Sequence, residues 1–380
     1  MRPFSFDIDT GGACNLRCPS CAQGNVREHR LPHAFMAPEL LAKIIAKAKS
    51  ECLLTRVNLF VWSEPLLHPR LPELIRVVQE AGVACHLSSN LNLLPDADAI
   101  MAADPASFKV SVSGFTQQSY GFTHRGGDIE RVKTHLLELV AAKQRARAKT
   151  RIYVNFHRYR HNLREELPLR EWLAGIGVDF EPIWAQMLPL EKVLGVLGAG
   201  DFDFPLTEED HRLIDHLALP LRQTLEMAQH YRHQPCPLRD RQFSIDCQGN
   251  VQLCCGGFDN RRFTVGNFLA LSLAQIQRRR EEHPICGLCM HHGAHVYMTF
   301  GAPEMDHLAL ANIPPEEAKR LGQELRGKRL RQRLDRWYRK SPLTLPPGGE
   351  AAVLNQLHRL HRLAARVRHG WPGRTGRKPS

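Results

Sequence analysis

Apolar and polar positions in the first half of the chain define short strand-like runs that alternate with longer helix-like segments. The strand-like runs are apolar or alternating, and the helix-like segments place apolar residues three and four positions apart. The predicted strands are residues 4–9, 55–62, 83–90, 107–114, 151–158 and 178–185. The predicted helices are residues 37–54, 71–82, 128–149 and 167–177. Strands that alternate with helices indicate βα units on a parallel sheet.

The number of predicted strands distinguishes two α/β architectures. Six strands suit a partial barrel better than the eight repeats of a complete TIM barrel. We therefore predict that residues 1–189 form a partial (βα)6 TIM-like barrel. In such sheets the chemistry gathers at loops that follow the carboxyl ends of the strands. The loop after the first strand, residues 11–25, is accordingly a candidate site.

The pattern changes after about residue 190. Residues 190–235 have a helical pattern, and Thr207 and Asp210 resemble a helix start. Residues 241–255 predict a hairpin that turns at Gly249-Asn250, and a short helix follows at residues 271–282. We predict a helical linker at 190–235, a small α+β domain at 236–295 and a basic, partly helical extension at 296–380.

Positive charge is concentrated in the last part of the chain. Residues 319–380 hold 17 Lys and Arg against three acidic residues, a net +14, so the preceding 318 residues sum to −2 within the total of +12. Residues 351–370 form a basic amphipathic pattern, which suits an anionic membrane surface, an acidic partner or docking on the protein's own domain. Since the body is slightly acidic and lacks a recognised binding motif, we do not expect nucleic-acid binding.

The cysteine distribution predicts two metal or redox sites. No secretory leader pattern occurs at residues 1–13, and no window reaches the roughly 18 apolar residues of a membrane span, so we expect a cytoplasmic protein. In that compartment, the 11 cysteines are expected to bind metal or do chemistry rather than form disulfides. Three cysteines lie at 14–21 and six at 236–289, whereas Cys52 and Cys85 are predicted core residues.

Cys14, Cys18 and Cys21 place three thiols within eight residues. A structural zinc site closes with four ligands, and His29, His33 or a distant residue could supply the fourth. An iron–sulfur cluster with three protein thiolates instead leaves one iron open to a small molecule. The spacing alone leaves both interpretations open.

The segment CNLRCPSC, Cys14–Cys21, resembles the C-x3-C-x2-C signature of the radical S-adenosylmethionine superfamily, whose partial barrels carry this loop after strand one. The resemblance implies that these three cysteines hold a 4Fe-4S cluster whose fourth iron is chelated by S-adenosylmethionine. It also implies reductive cleavage to a 5'-deoxyadenosyl radical that abstracts a hydrogen atom from substrate. An electron donor such as flavodoxin or ferredoxin is then expected.

Other positions match the superfamily's S-adenosylmethionine site in part. The resemblance implies contacts at Glu64, Ser89, Asn90, Ser111, Ser113 and Arg125. The family's Gly-Gly-Glu-Pro is here Trp-Ser-Glu-Pro at residues 62–65, so the two glycines are absent and Trp62 suits either packing or a substrate wall. Ser113 stands where many relatives carry Asp, and Ser20 stands where an aromatic residue is usual. Arg125 matches an arginine that pairs with the methionyl carboxylate, a role suited to its two-pronged guanidinium.

The rear cysteines resemble the opening of a SPASM module, in its shortened twitch version with one auxiliary 4Fe-4S cluster. The implied ligands are Cys236, Cys254, Cys286 and Cys289. Adjacent Cys254 and Cys255 would point to opposite faces of a strand, and Cys254 has the family's spacing from Gly249. Zinc bound by the same four thiols is the alternative. For Cys247 and Cys255 a buried thiol is favoured over a substitute ligand or a hydrogen-atom donor.

The sequence therefore predicts a radical S-adenosylmethionine enzyme with two 4Fe-4S clusters. The leading hypothesis for the reaction is a dehydrogenase-like net oxidation of an alcohol or sugar-like metabolite, since a fully ligated auxiliary cluster is suited to accept an electron. Epimerisation or cross-linking of a ribosomal peptide ranks second, because no room for the usual peptide-docking domain lies ahead of Phe4. A non-catalytic zinc-binding adaptor that recruits an acidic partner through the tail is the third hypothesis. No catalytic residue is assigned.

Overall fold

The computed structural model describes residues 1–26, 31–32, 34–200, 202 and 206–340, with side chains up to residue 327. The chain divides into Met1–Leu321 and a remainder from Gly322, in which helix residues up to Lys340 are described. The strands are β1 (Pro3–Ile8), β2 (Leu53–Asn58), β3 (Ala84–Ser89), β4 (Ser107–Ser111), β5 (Arg151–Arg158), β6 (Asp179–Trp184), β7 (Gln242–Ile245), β8 (Asn250–Gln252) and β9 (Thr264–Asn267). The tail pattern at 351–370 lies outside the described residues.

Helices connect these strands and cover the sheet. In the first half they are α1 (Ala22–Asn25), α2 (Pro38–Glu51), α3 (Leu71–Glu80), α4 (Ala97–Ala102), α5 (Gln117–Thr123), α6 (Ile129–Ala146) and α7 (Glu166–Gly175). Further along they are α8 (Leu190–Val196), α9 (Glu208–His216), α10 (Leu221–His230), α11 (Pro237–Asp240), α12 (Asn260–Phe263), α13 (Leu273–Glu281), α14 (Pro284–His291), α15 (Ala294–Met298), α16 (Met305–Ala311) and α17 (Pro315–Lys340). Short 3-10 turns lie at Pro65–Leu67 and Leu163–Glu165. None of the described helices is long and apolar enough to cross a membrane.

The six predicted strands form the parallel part of one sheet. In the described chain its order is β6-β5-β4-β3-β2-β1-β7-β8-β9, and each neighbouring pair from β1 to β6 is parallel. Helices follow the strands, and alternate side chains such as Cys85 and Leu87 of β3 are buried. This arrangement confirms the predicted α/β fold of a partial TIM-like barrel.

Curvature of the sheet brings charged side chains from separate strands together. The charges of Asp7 on β1 and Glu181 on β6 both act on Lys109 of β4, opposing the effect of burial, which lowers the pKa of Lys109. Neighbouring strands lie about 4.8 Å apart, so β1 and β4 would be about 14 Å apart in a flat sheet. The polar face of the curved sheet therefore surrounds a shared interior.

The rear hairpin continues the same sheet, a feature that the sequence did not indicate. Strand β7 pairs in parallel with β1, with Phe6 opposite Phe243 and Ile8 opposite Ile245. The Phe243 ring also packs 4.8 Å from Phe4, between ring centroids. An unpaired edge of β1 would expose backbone donors and acceptors, so β7 completes that edge. The second cysteine group is thereby attached directly to the barrel.

Local start and turn signals agree with the structure in two places. Thr207 and Asp210 form a reciprocal capping box at the start of α9. Gly249 has φ +83° at the hairpin turn, a conformation that favours glycine. Strand β2, in contrast, ends at Asn58 rather than at Trp62. The predicted extension is wrong because the backbone of Trp62 turns to donate its N–H to Asp9 at 3.1 Å.

Candidate functional site

The first cysteine group lies on the loop directly after β1. Cys14, Cys18 and Cys21 are free thiols of intermediate exposure. The N–H of Cys21 donates to the Cys18 carbonyl at 3.1 Å, and the N–H of Asn25 donates to the Cys21 carbonyl at 3.0 Å. These backbone bonds fold the loop tightly before α1, so the three thiols share one end of the barrel.

The thiols of this loop influence one another electrostatically. Burial raises the pKa of Cys14 to about 12 and that of Cys21 to about 11, and it raises the pKa of Cys18 well above its usual value. The neighbouring thiols Cys14 and Cys21 also raise the pKa of Cys18. Such a set ionises when a metal centre supplies positive charge. The donor chemistry therefore fits an iron–sulfur cluster held by three thiolates.

Across the described part of the chain, no three His, Cys, Asp or Glu side chains converge as a site for one metal ion. A four-iron cluster does not need such convergence, because each iron takes its own thiolate. His29 and His33, which the zinc interpretation considered as a fourth ligand, lie outside the described residues.

Asp9 organises the loop after β2 and was not identified from the sequence. Its buried carboxylate accepts the N–H of Trp62 at 3.1 Å, the N–H of Ser63 at 3.0 Å and the hydroxyl of Ser63. Burial raises the pKa of Asp9 to about 6. The Trp62 indole donates to the Gly257 carbonyl at 2.8 Å and packs edge-on against Phe258. These contacts support the packing interpretation of Trp62.

Glu64 joins the ends of β2 and β3 to the cysteine loop. Its carboxylate accepts the N–H of Leu66 at 3.1 Å and the N–H of Asn90 at 2.9 Å, and its own N–H donates to the Ala13 carbonyl at 2.9 Å. The Asn90 amide nitrogen lies 3.7 Å from the Cys14 sulfur. The polar end of β3 is therefore in contact with the first cysteine group.

The predicted serines lie at the carboxyl ends of β3 and β4. The Ser89 hydroxyl accepts the N–H of Leu91 at 2.8 Å, and the Ser113 hydroxyl accepts the N–H of His157 at 3.1 Å. Ser111 is half-buried at the last position of β4. The structure thus brings the predicted positions to one end of the sheet, although Ser89 and Ser113 already have protein partners.

Arg125 contacts the cysteine loop at two points. Its Nε donates to the Arg17 carbonyl at 2.8 Å and its Nη2 donates to the Gly24 carbonyl at 3.1 Å. Its Nη1 pairs with Glu209 at the start of α9, and its own carbonyl accepts the N–H of Arg17 at 3.0 Å. The guanidinium is therefore a clamp on the loop that carries the three thiols.

Removal of this clamp is expected to loosen the loop. In Arg125→Ala, amides of residues 17–24 should exchange with deuterium at least tenfold faster, since hydrogen bonds from a charged donor contribute about 1.5–3 kcal/mol each. Hydrogen exchange followed by mass spectrometry measures this directly. Glu209→Ala is the matched control and should change exchange there less, because an exposed ion pair contributes about 0–1 kcal/mol. Equal protection in the wild type and Arg125→Ala would contradict the clamp.

The second cysteine group is distributed over three segments of the rear module. Cys236 caps α11, Cys254 follows β8, and Cys286 and Cys289 lie three residues apart on one face of α14. Burial raises the pKa of the Cys289 thiol, and the nearby Cys254, Cys236 and Cys286 thiols raise it further. The charges of the other three predicted auxiliary ligands therefore act on Cys289, and four thiols suit a closed iron–sulfur cluster.

The prediction that Cys254 and Cys255 point to opposite faces of a strand is wrong. Strand β8 ends at Gln252, so both cysteines lie in the following turn and the alternation of strand faces does not apply to them. Their surroundings nevertheless differ. The Cys255 thiol interacts with Gln242 and with the charge of Asp7 on β1, in addition to the charges of Cys254 and Cys236. Cys247 is buried, as expected for a core thiol.

Buried charged residues connect the two cysteine groups, and the sequence offered no local signal for them. Glu191 on α8 accepts the N–H of Phe258 at 2.8 Å and that of Asp259 at 2.9 Å, which fixes the segment after the rear cysteines. Lys192 donates to the Asn25 carbonyl at 2.7 Å and pairs with buried Asp210 at 2.6 Å. With the Trp62–Phe258 contact, these bonds hold the two groups in one body.

Comparison with known proteins identifies the first part of the chain. Residues 8–164 match the sequence model of the Radical SAM superfamily. The tungsten-containing aldehyde ferredoxin oxidoreductase cofactor-modifying protein of Pyrococcus furiosus is 26% identical over 216 residues, which cover 54% of this chain and 58% of that relative. The match thus spans little more than half of the curated relative's length.

Solved structures resemble the fold. SuiB of Streptococcus suis, bound to S-adenosylmethionine, aligns with a TM-score of 0.51 at 14% identity, covering 75% of this chain and 67% of that chain. Native anSMEcpe with bound AdoMet aligns with a TM-score of 0.50 at 13% identity, covering 74% and 82%. At such identities the likeness concerns the fold.

Proposed function

Because residues 8–164 match the model of the Radical SAM superfamily, we propose that this chain is a member that binds S-adenosylmethionine at a 4Fe-4S cluster and abstracts a hydrogen atom from its substrate. The observation that carries the proposal is the grouping of Cys14, Cys18 and Cys21 on the loop after β1. Three thiolates leave one iron of such a cluster open. When bound, the cluster and S-adenosylmethionine supply one-electron reductive cleavage and a 5'-deoxyadenosyl radical.

The chain's own residues would position that chemistry. Three thiols would hold the cluster, and the polar ends of β2, β3 and β4 surround the same loop. The proposed S-adenosylmethionine contacts are Glu64, Ser89, Asn90, Ser111, Ser113 and Arg125. Since Arg125 clamps the loop and pairs with Glu209, a methionyl carboxylate would compete with Glu209 for its guanidinium. A flavodoxin or ferredoxin remains the proposed electron donor.

The rear cysteines are proposed to hold a second 4Fe-4S cluster in a twitch-type domain. Cys236, Cys254, Cys286 and Cys289 are the proposed ligands, and their mutual electrostatic influence supports the assignment. The proposed boundaries remain 1–189 for the barrel, 190–235 for the helical linker, 236–295 for the rear domain and 296–380 for the extension. An acidic partner or anionic membrane surface for the basic tail is a proposal for residues beyond those described.

A polar barrel interior supports oxidation of an alcohol or sugar-like metabolite. Asp7 accepts a hydrogen bond from Asn58 at 2.5 Å, and its charge acts on Lys109. Convergent polar groups of this kind orient a hydroxylated ligand. Burial raises the pKa of Asp7 to about 6, so Asp7 suits acceptance of the hydroxyl proton that such an oxidation releases. The attachment of β7 to β1 joins the module that carries the rear cysteines to the same sheet.

Peptide maturation is the second candidate. SuiB, which aligns here with a TM-score of 0.51, has also been solved bound to its precursor peptide SuiA. At 13% identity this likeness concerns the fold alone and not the substrate. We therefore rank epimerisation or cross-linking of a peptide below metabolite oxidation. The modification of a cofactor, named for the Pyrococcus furiosus relative, also fits a small-molecule substrate.

Anaerobic purification tests the proposal against a zinc adaptor. We expect a brown protein that contains iron and sulfide sufficient for two four-iron clusters and forms 5'-deoxyadenosine from S-adenosylmethionine after dithionite reduction. Metal analysis and liquid chromatography measure these quantities. A colourless protein with stoichiometric zinc and no 5'-deoxyadenosine would favour the non-catalytic adaptor.

A further inference from the structure

Arg280 is a buried cation beside the second cysteine group. Its side chain lies on α13 and is 0% exposed, whereas Arg278 and Arg279 on the same helix are exposed. The run of three arginines therefore does not form one solvated face. A guanidinium keeps its charge at every physiological pH, so Arg280 brings a full positive charge into the protein interior.

The described contacts of Arg280 are with neutral groups. Its Nε donates to the Leu253 carbonyl at 3.0 Å, its Nη2 donates to the Leu238 carbonyl at 2.6 Å, and its Nη1 donates to Gln277 at 3.3 Å. The guanidinium also lies 4.8 Å from the centre of the Phe243 ring. Among the described residues, no carboxylate forms an ion pair with it. A buried charge without a counter-charge is strongly unfavourable, which calls for a negative group nearby.

Thiols are the ionisable groups that surround this charge. Leu253 directly precedes Cys254, and Leu238 lies two residues after Cys236, so the two strongest hydrogen bonds tie Arg280 to the segments that carry these cysteines. The charges of four neighbouring thiols act on Arg280, namely Cys254, Cys286, Cys236 and Cys255. Arg239, which also contacts Cys286, pairs with Asp240 at 2.8 Å. Arg280 is therefore the cation at this site whose positive charge the thiolates would neutralise.

We propose that Arg280 is the counter-charge of the auxiliary cluster, balancing the thiolates of Cys236, Cys254, Cys286 and Cys289 and raising the cluster's reduction potential. The inference rests on the proposed second cluster. Net charge, hydrogen bonding and burial set the potential of such clusters. Reduction adds negative charge, and a fixed cation in a medium of low dielectric constant stabilises the reduced form more than the oxidised form. Arg280 thus favours electron acceptance at this site.

Three substitutions separate charge from shape. Arg280→Gln removes the charge, Arg280→Lys keeps it without the planar fork, and Arg278→Gln removes one charge from the exposed face of the same helix. Each is placed in the full chain in which Cys14, Cys18 and Cys21 are alanine, so that one cluster is observed. Redox titration monitored by electron paramagnetic resonance gives its midpoint, and iron analysis and circular dichroism give its occupancy and folding.

We expect the Arg280→Gln midpoint to shift to a more negative value, while Arg278→Gln and Arg280→Lys stay near the parent. A folded, iron-loaded Arg280→Gln protein with the parent midpoint would overturn the role of Arg280 and leave the second cluster in place. Absence of iron from the parent itself would overturn the second cluster. If Arg280→Gln does not fold, the Arg280→Lys protein decides the question. A midpoint equal to that of the parent protein supports the counter-charge. A folded Arg280→Lys protein that has lost the cluster, or whose midpoint has shifted, refutes it.

Discussion

Replacement of Cys14, Cys18 and Cys21 together by alanine is expected to reduce 5'-deoxyadenosine formation to the background of a protein-free reaction. The three thiols are the proposed ligands of the cluster that opens one iron to S-adenosylmethionine, and a cluster without these thiolates has no attachment at this loop. Anaerobic incubation with dithionite and S-adenosylmethionine, followed by chromatography, measures the product. Iron content should fall by the amount of one cluster.

The fold should survive this triple substitution. The loop is held by backbone bonds such as that between Cys21 and Cys18, and by the Arg125 clamp, neither of which needs a thiol. Cys52→Ala is a control, because Cys52 is buried outside both cysteine groups and should leave the product rate unchanged. Native product formation by the folded triple variant would show that other residues hold the first cluster.

The barrel could be predicted because its signals are local. Each of β1 to β6 is a short apolar or alternating run, and the order of strands and helices repeats. Strand β7 is different, since its four residues pair with β1 across more than 230 positions, as in Ser5 opposite Gln242. Nothing in residues 242–245 distinguishes that parallel pairing from an isolated hairpin. The pairing of β7 depends on the edge that β1 presents in the folded barrel and not on the sequence of β7 itself.

In the candidate site, too, residues with local sequence signals could be predicted and residues that depend on tertiary contacts could not. The cysteines were found because their spacings are local, and in the structure all of them are free thiols. Asp9, Glu191 and Arg280 were missed because their roles arise from burial, which depends on tertiary packing. Arg280 stands in a run of arginines that alone indicates a solvated helix face. One sequence signal for the burial of Arg280 was available. Arg280 lies four residues after buried Ile276, so it occupies an apolar position of an amphipathic helix.

Replacement of Cys236 and Cys289 by alanine is expected to uncouple S-adenosylmethionine cleavage from substrate oxidation. A substrate that has lost a hydrogen atom must lose a second electron and a proton to become a carbonyl product. Four protein thiolates leave no open iron, so electron transfer suits the rear cluster. The first cysteine group is separate from these two residues in sequence, and it keeps its own loop and clamp. The ratio of oxidised product to 5'-deoxyadenosine should therefore fall steeply, while 5'-deoxyadenosine still forms.

This ratio must be measured beside folding and iron content, because a lost metal site can destabilise its domain. Cys247→Ala is the matched control, since Cys247 is a buried thiol of the same module outside the four proposed ligands, and its ratio should stay native. Asp7→Asn adds a further distinction: it should slow product formation by removing the proton acceptor while the rear cluster remains. If a folded Cys236/Cys289 variant without the second cluster kept the native ratio, the electron would leave by another route or not at all. A redox-neutral rearrangement or epimerisation, in which substrate regains a hydrogen atom, would then become the leading hypothesis.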